Sequence, residues 1–191
     1  MYGENDGIRD DIKVKIKNFG RDAELINLFE TEIIKNKNIL YENVINESLF
    51  NEKKIIFIQS ASDKIFNEIV ESLEINKKNI KIYIFSENLD KKSKLRNLFE
   101  KEKNLAALPC YKDNERTLVD YLSKELKGYA GLTGELINLI INNSNSNRKI
   151  IRSELVKIKS FFSAKKINKN DLLELLNIKS DTNFEKIRDN I

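Results

Sequence analysis

Ile45-Asn46-Glu47-Ser48-Leu49-Phe50-Asn51-Glu52-Lys53-Lys54-Ile55-Ile56-Phe57-Ile58 joins two elements whose contrast decides the fold. A polar helix carrying Ile39, Leu40, Val44 and Ile45 at helical spacing runs into an exposed Ser-Leu-Phe step. Residues 55–58 then form a short, continuous apolar run, the mark of a strand covered on both faces. A Leu and a Phe side by side at such a junction can plug a pocket on another protein. The competing reading sinks Leu49 and Phe50 into the core beneath 55–58, where most Leu and Phe side chains go.

Working outward, the alternation repeats. Ile8, Ile12 and Ile16 mark one face of a helix over 8–17, with Asp6 or Gly7 as its cap, and Ala23–Phe29 reads as a strand. Ser62 or Asp63 caps a helix whose Ile65, Phe66, Ile69, Val70 and Leu73 turn inward. Residues 80–85 read as a strand, 91–103 as a helix with Leu95, Leu98 and Phe99 on its apolar side, and 105–108 as a strand. Residues 114–127 read as a helix with Leu118, Val119, Leu122 and Leu126 inward. Strand and helix in turn predict an α/β fold, a mainly parallel sheet with helices on both faces. After Gly128 the strands stop, and 131–143, 148–162 and 169–176 read as helices. Gly128-Tyr129-Ala130-Gly131 is the expected hinge between an α/β domain over 1–127 and a small helical domain over 128–178; 179–191 begin a further element. Met1-Tyr2-Gly3 reads as the tail of a strand whose earlier part is missing.

Composition narrows the chemistry. Of 191 residues 40% are hydrophobic, enough for a sizeable core, and 34 bases against 30 acids leave +4. That is a mixed, solvated surface rather than a strong nucleic-acid field. The chain has no histidine, so the usual general base, the commonest zinc ligand and every Ser-His or Cys-His pair are excluded. Cys110 is the single cysteine, which excludes a disulfide or a CxxC site within the chain. It follows Pro109 at the end of an apolar run, the place of a buried structural thiol. The polar, acidic start over 1–11 does not read as a signal peptide, and the longest apolar runs are strand-sized, so no membrane span is expected. A reducing cytoplasm fits.

An α/β domain followed by a helical lid suggests a nucleotide-binding ATPase, which needs a GxxxxGK[ST] cradle before its first helix. Here that place holds Gly3-Glu4-Asn5-Asp6-Gly7, with no lysine and with two carboxylates where phosphates would sit. Like charges repel a nucleotide there. No acidic pair after a strand reads as a magnesium motif. Asp10 with Asp11 is a paired carboxylate, but neighbouring helix residues diverge, and a solvated face is the better reading. The expectation is an ATPase-like fold without catalytic residues, metal or cofactor.

The strongest remaining signal is Leu89-Asp90-Lys91-Lys92-Ser93-Lys94-Leu95-Arg96-Asn97-Leu98-Phe99-Glu100-Lys101, followed by Ala106-Ala107-Leu108-Pro109-Cys110-Tyr111. Together with Tyr2-Gly3-Glu4-Asn5-Asp6, Glu154-Leu155-Val156-Lys157 and Ile167-Asn168-Lys169-Asn170-Asp171-Leu172, these blocks resemble the delta subunit family of the bacterial DNA polymerase III clamp loader in order and spacing. Asn145-Ser146-Asn147 departs from the family's glycine-containing turn. The resemblance implies an AAA+-type domain without a functional P-loop, a helical lid, and a collar domain of which 179–191 would be only the start.

It also implies a function: a non-catalytic subunit of a DNA-directed DNA polymerase complex that binds and opens the ring-shaped sliding clamp during replication. The matching clamp-binding residues are Ser48, Leu49 and Phe50, with Tyr41, Val44 and Ile45 on the preceding helix bracing them or touching the clamp. Implied partners are the sliding clamp, the other loader subunits and primer–template DNA. Lys91, Lys92, Lys94 and Arg96 are the candidate DNA contacts, against a reading as a solvated face partnered by Asp90 and Glu100. Two other hypotheses stand beside it: a Rossmann-like nucleotide or nucleic-acid processing enzyme with a divergent site, and a non-functional truncated copy.

Overall fold

The structure is a computed structural model that describes residues 1–46, 53–75 and 78–177. By internal contacts the chain divides into two units, Met1–Lys112 and Asp113–Ile191.

The first unit is built on a parallel sheet in the order β1 (Ala23–Phe29), β2 (Lys53–Gln59), β3 (Ile80–Ile84). The register pairs Leu25 with Ile55 and Ile56 with Ile82. β2 lies in the middle, and its residues 54–58 are all buried, as the unbroken apolar run requires. Helices cover both faces. On one, α2 (Glu30–Lys35), α3 (Ile39–Ile45) and α4 (Phe66–Glu74) bring Ile33, Leu40, Val44 and Ile69 against Ile56, Ile58 and Ile84. Leu95 of α5 (Lys94–Lys101) joins that core. On the other face, Ile16 of α1 (Asp6–Phe19) packs on Ile55, Phe57 and Phe85.

Several local readings are corrected. α1 is capped by Asn5, whose side chain accepts from the Ile8 amide, rather than by Asp6 or Gly7. A helix absent from the sequence reading, α2, follows β1 directly; the Glu32 carboxylate accepts the Phe29 amide at its start. α5 begins at Lys94 rather than at 91, because Ser93 is its cap. Residues 105–108 form no strand. Instead Tyr2 makes parallel bridges to Ser86 on one side and Pro109 on the other, so Met1–Gly3 sits between the end of β3 and the Leu108–Cys110 segment. The Tyr2 amide donates to Leu108 O (3.1 Å) and the Gly3 amide to Glu87 O (3.0 Å). A strand needs neighbours for its ladder, and 105–108 has one only at its far end.

The second unit is helical: α6 (Glu115–Glu125), α7 (Gly134–Asn143), α8 (Arg148–Phe161) and α9 (Lys169–Leu175). Each is capped by a side chain, from Asn114, Thr133, Asn147 and Asn168 in turn. Leu118, Leu122, Ile140, Ile151, Ile158 and Leu172 are fully buried in its core. The sequence drew the domain edge at Gly128, which would assign α6 to the sheet domain; by contacts the edge falls at Lys112, and the α6 leucines belong to the helical core. The Arg148 guanidinium grips the Asp113 carboxylate through two bonds of 2.7 Å. Gly131 has φ +83°, and a Cβ there would stand 2.2 Å from Ile167 O, so only glycine fits.

Candidate functional site

Ser48, Leu49 and Phe50 lie outside the described residues; the elements that lead into and out of them do not. α3 leads in. Its Leu40 and Val44 belong to the core, Val44 being 2% exposed, which removes Val44 from the surface role expected for it. Tyr41 (43% exposed) and Ile45 (39%) are the apolar side chains that α3 presents outward.

Lys54, in the strand that follows, fixes the end of α3. Its ammonium is buried and donates to Asn43 O (3.0 Å) and Asn46 O (2.6 Å), with Glu24 Oε2 at 3.6 Å. The carbonyls at a helix C-terminus have no intrahelical partner and carry partial negative charge, so a cation is the fitting cap. The sequence reading missed this residue. The available signal was a lysine immediately before the wholly apolar run 55–58.

The start of α5 is fastened the opposite way. Asp63, in the 3₁₀ turn Asp63–Ile65, accepts from Ser93 Oγ (2.7 Å) and from the amides of Lys94 and Leu95 (2.9 Å each). Ser93 Oγ accepts the Arg96 amide (3.2 Å). Burial alone raises the Asp63 pKa, but the donors from Leu95, Ser93 and Lys94 outweigh it and hold the carboxyl below its ordinary 3.8.

Of the four candidate phosphate contacts, Lys91, Lys92 and Lys94 are exposed and Arg96 is not. The Arg96 guanidinium donates to Glu100 Oε1 (2.8 Å) and to Leu89 O (3.1 Å) and lies 4.8 Å over the Tyr2 ring. Tyr2 in turn donates to Glu100 (3.1 Å). The Arg96 bond holds Glu100 low, while burial pushes the Tyr2 phenol up to about 12. Arg96 therefore ties α5 to the first strand segment.

The place of a phosphate cradle is closed by the chain itself. The Asn5 amide donates to Cys110 O (2.9 Å) and its side-chain amide to Tyr111 O (3.1 Å), while its side-chain oxygen caps α1. Gly3 has φ +130° and a Cβ there would meet Cys110 O at 2.3 Å. Glu4 pairs with Lys112 (3.2 Å), and Asp6 with Arg9. A helix N-terminus filled by its own asparagine and flanked by two carboxylates is a poor seat for an anion. Cys110 is fully buried, and burial raises its thiol pKa, so it is held as the unreactive thiol. Among the described residues no group of three or more Cys, Asp or Glu side chains is placed to hold a metal ion, and no helix is long and apolar enough to cross a membrane.

No family model matches the chain, and no curated protein does. Among solved structures it is similar to the DNA clamp loader delta protein of Bacillus subtilis, with a TM-score of 0.70 at 14% identity over 94% of this chain. The fold is clamp-loader-like. The chain spans 57% of the length of that protein, and at this identity the likeness is one of fold.

Proposed function

We propose that this chain acts as a clamp-loader delta subunit, binding and opening a sliding clamp as part of a DNA polymerase III holoenzyme in the cytoplasm. The observation that carries the reading is the fold likeness over 94% of the chain, beside the sequence blocks that resemble the same family. In this reading the first unit is the AAA+-type domain without a working P-loop and the helical unit is its lid. The other loader subunits would be its partners in a hetero-oligomer.

The proposed contact is Ser48-Leu49-Phe50 seated in an apolar pocket of the clamp. The described geometry supports it in one respect. The Lys54 cap holds the end of α3 rigidly just before the step, with Tyr41 and Ile45 exposed beside it. Burying a Leu and a Phe supplies about 1.5–3 kcal/mol each, and a compact apolar anchor can dominate an interface. Tighter binding to the strained, open ring would shift the clamp toward opening with no covalent step. Lys91, Lys92 and Lys94 are the proposed phosphate contacts on primer–template DNA; Arg96 is engaged within the fold.

The test is a titration against the clamp of the same organism. Leu49→Ala with Phe50→Ala should leave the fold intact and weaken binding by about 3 kcal/mol or more, over a hundredfold. Unchanged affinity removes the proposal.

A further inference from the structure

Where the end of α1 meets the first residues of β2 and β3, the first unit carries a cavity of about 750 Å³, and every described residue that lines it lies between Ile16 and Tyr83. The strand register explains its floor. Ala23 stands opposite Lys53, Ile55 opposite Lys81 and Phe57 opposite Tyr83, and alternate residues of a strand share a face. Ala23, Ile55 and Tyr83 therefore lie on one face of the sheet, and Ile16 of α1 joins them in one apolar cluster. The backbone of α1 approaches that floor at Gly20, where a Cβ would stand 2.3 Å from Ile55 Cδ1.

The rim is basic. Lys53 and Lys81 share the face of Ile55, and Lys78 precedes β3 by two residues. All three are exposed and line the cavity, and none has a hydrogen bond or ion pair among the described residues. Lys54 pairs with Ile80, so Lys53 is level with Asn79, which at ordinary strand spacing puts its Cα roughly 8 Å from that of Lys81. Lys54 also borders the cavity, but its ammonium is engaged on the α3 carbonyls. No Asp or Glu is among the described lining residues. The carbonyls at the end of α1 carry partial negative charge, which Lys17 in the last turn offsets. Phe19 completes the mouth, and at 93% exposure its ring stands in water beside the three cations.

We propose that this cavity binds a nucleoside polyphosphate, its base against Phe19 and Tyr83 and its phosphates on Lys53, Lys78 and Lys81. The site lies at the opposite end of the sheet from the Gly3–Gly7 segment, whose helix N-terminus Asn5 fills. The number of cations decides between anions. A single carboxylate, as on a fatty acid, leaves two of the three lysines unmatched. An extended acidic peptide sets its same-side carboxylates about 7 Å apart, whereas linked phosphates bring their charges closer together. The cavity also falls within the range of small-molecule sites, about 300–1,000 Å³. An aromatic base stacks on an exposed ring, and lysine is a common phosphate partner.

The experiment titrates the full chain with ATP by calorimetry, without divalent metal, alongside adenosine, inorganic triphosphate, a short oligothymidylate and a Glu-rich peptide containing Phe. ATP should bind about tenfold more tightly than adenosine or triphosphate, since each of those makes only half of the contacts. Lys53→Gln with Lys81→Gln should weaken ATP about tenfold. Phe19→Ala should weaken ATP about tenfold and leave triphosphate binding unchanged. The three replaced side chains are exposed, so urea unfolding of the variants should match the wild type. Absence of ATP binding, or ATP binding that neither variant weakens, overturns the proposal. So does triphosphate binding equal to that of ATP, which reduces the cavity to a basic patch. Tighter binding of the oligothymidylate or of the peptide than of ATP overturns it in favour of a nucleic-acid strand or an acidic protein. None of these readouts involves a clamp, so they are independent of the proposed function.

Discussion

The end of α3 and the start of α5 are opposite solutions to one problem. Each junction carries a candidate contact surface, and each is fastened by one charged side chain from β2 or the turn after it. At α3 the fastener is a cation, Lys54, on C-terminal carbonyls; at α5 it is an anion, Asp63, on N-terminal amides. Lys54 is buried, while Asp63 is exposed. The difference lies in burial: a buried cation fixes the end of the helix that precedes the proposed Leu49–Phe50 contact, whereas an exposed carboxylate caps the helix that follows the exposed Lys91 and Lys92.

Lys54→Met breaks the first junction hardest. It leaves two helix-end carbonyls and Glu24 without their cation, which should cost about 1–3 kcal/mol in urea unfolding. Clamp affinity should fall as well, although neither Leu49 nor Phe50 is changed. A variant that loses stability but keeps full affinity would show that the α3 end needs no fixing.

Asp63→Ala tests the second junction and should cost about 1 kcal/mol at neutral pH. Because the folded pKa of Asp63 lies below its ordinary 3.8, its contribution is present above that value and is lost as pH falls through the folded pKa. The gap between wild type and variant should therefore close only on acidification below 3.8. A gap that stays constant with pH would mean the carboxylate's charge is not what holds α5.

The smallest effect is expected at the lysines. Exchanging Lys91, Lys92 and Lys94 for Glu should leave unfolding nearly unchanged and flatten the salt dependence of DNA binding by about one unit of slope per lost phosphate contact. An unaltered slope assigns the three lysines to solvent. The comparison would then sharpen further, with only the α3 junction serving an interface.

Much of this arrangement is legible before any coordinates. The bounds of β1 follow from Ala23–Phe29 as a strand pattern, and β2 from the unbroken run at 55–58. The helices of the second unit follow from the spacing of Leu118, Leu122 and Leu126 and from the end of strand patterns after Gly128, whereas their Asn and Thr caps appear only in the structure. What escaped are features made by partners distant in sequence. Glu30 to Lys35 follows β1 without a breaking residue, so its helix is hidden in the strand's continuation. Leu105 to Leu108 has the composition of a strand and forms none, because the ladder it needs is only begun by Tyr2. Arg96 looks like one of four equivalent cations, and only its contacts with Glu100, Leu89 and Tyr2 set it apart.

The sequence by itself determined the α/β class, the run of helices after Gly128, the lack of histidine chemistry and the acidic stretch where a phosphate cradle would be, since periodicity and residue type are local properties. Tertiary structure alone decided that α6 joins the helical unit, that Lys54 and Asp63 close two helix ends, and that Asn5 fills the N-terminus of α1. Those are pairings of unsatisfied backbone groups with side chains brought from elsewhere in the chain, and no local pattern records which distant partner will arrive.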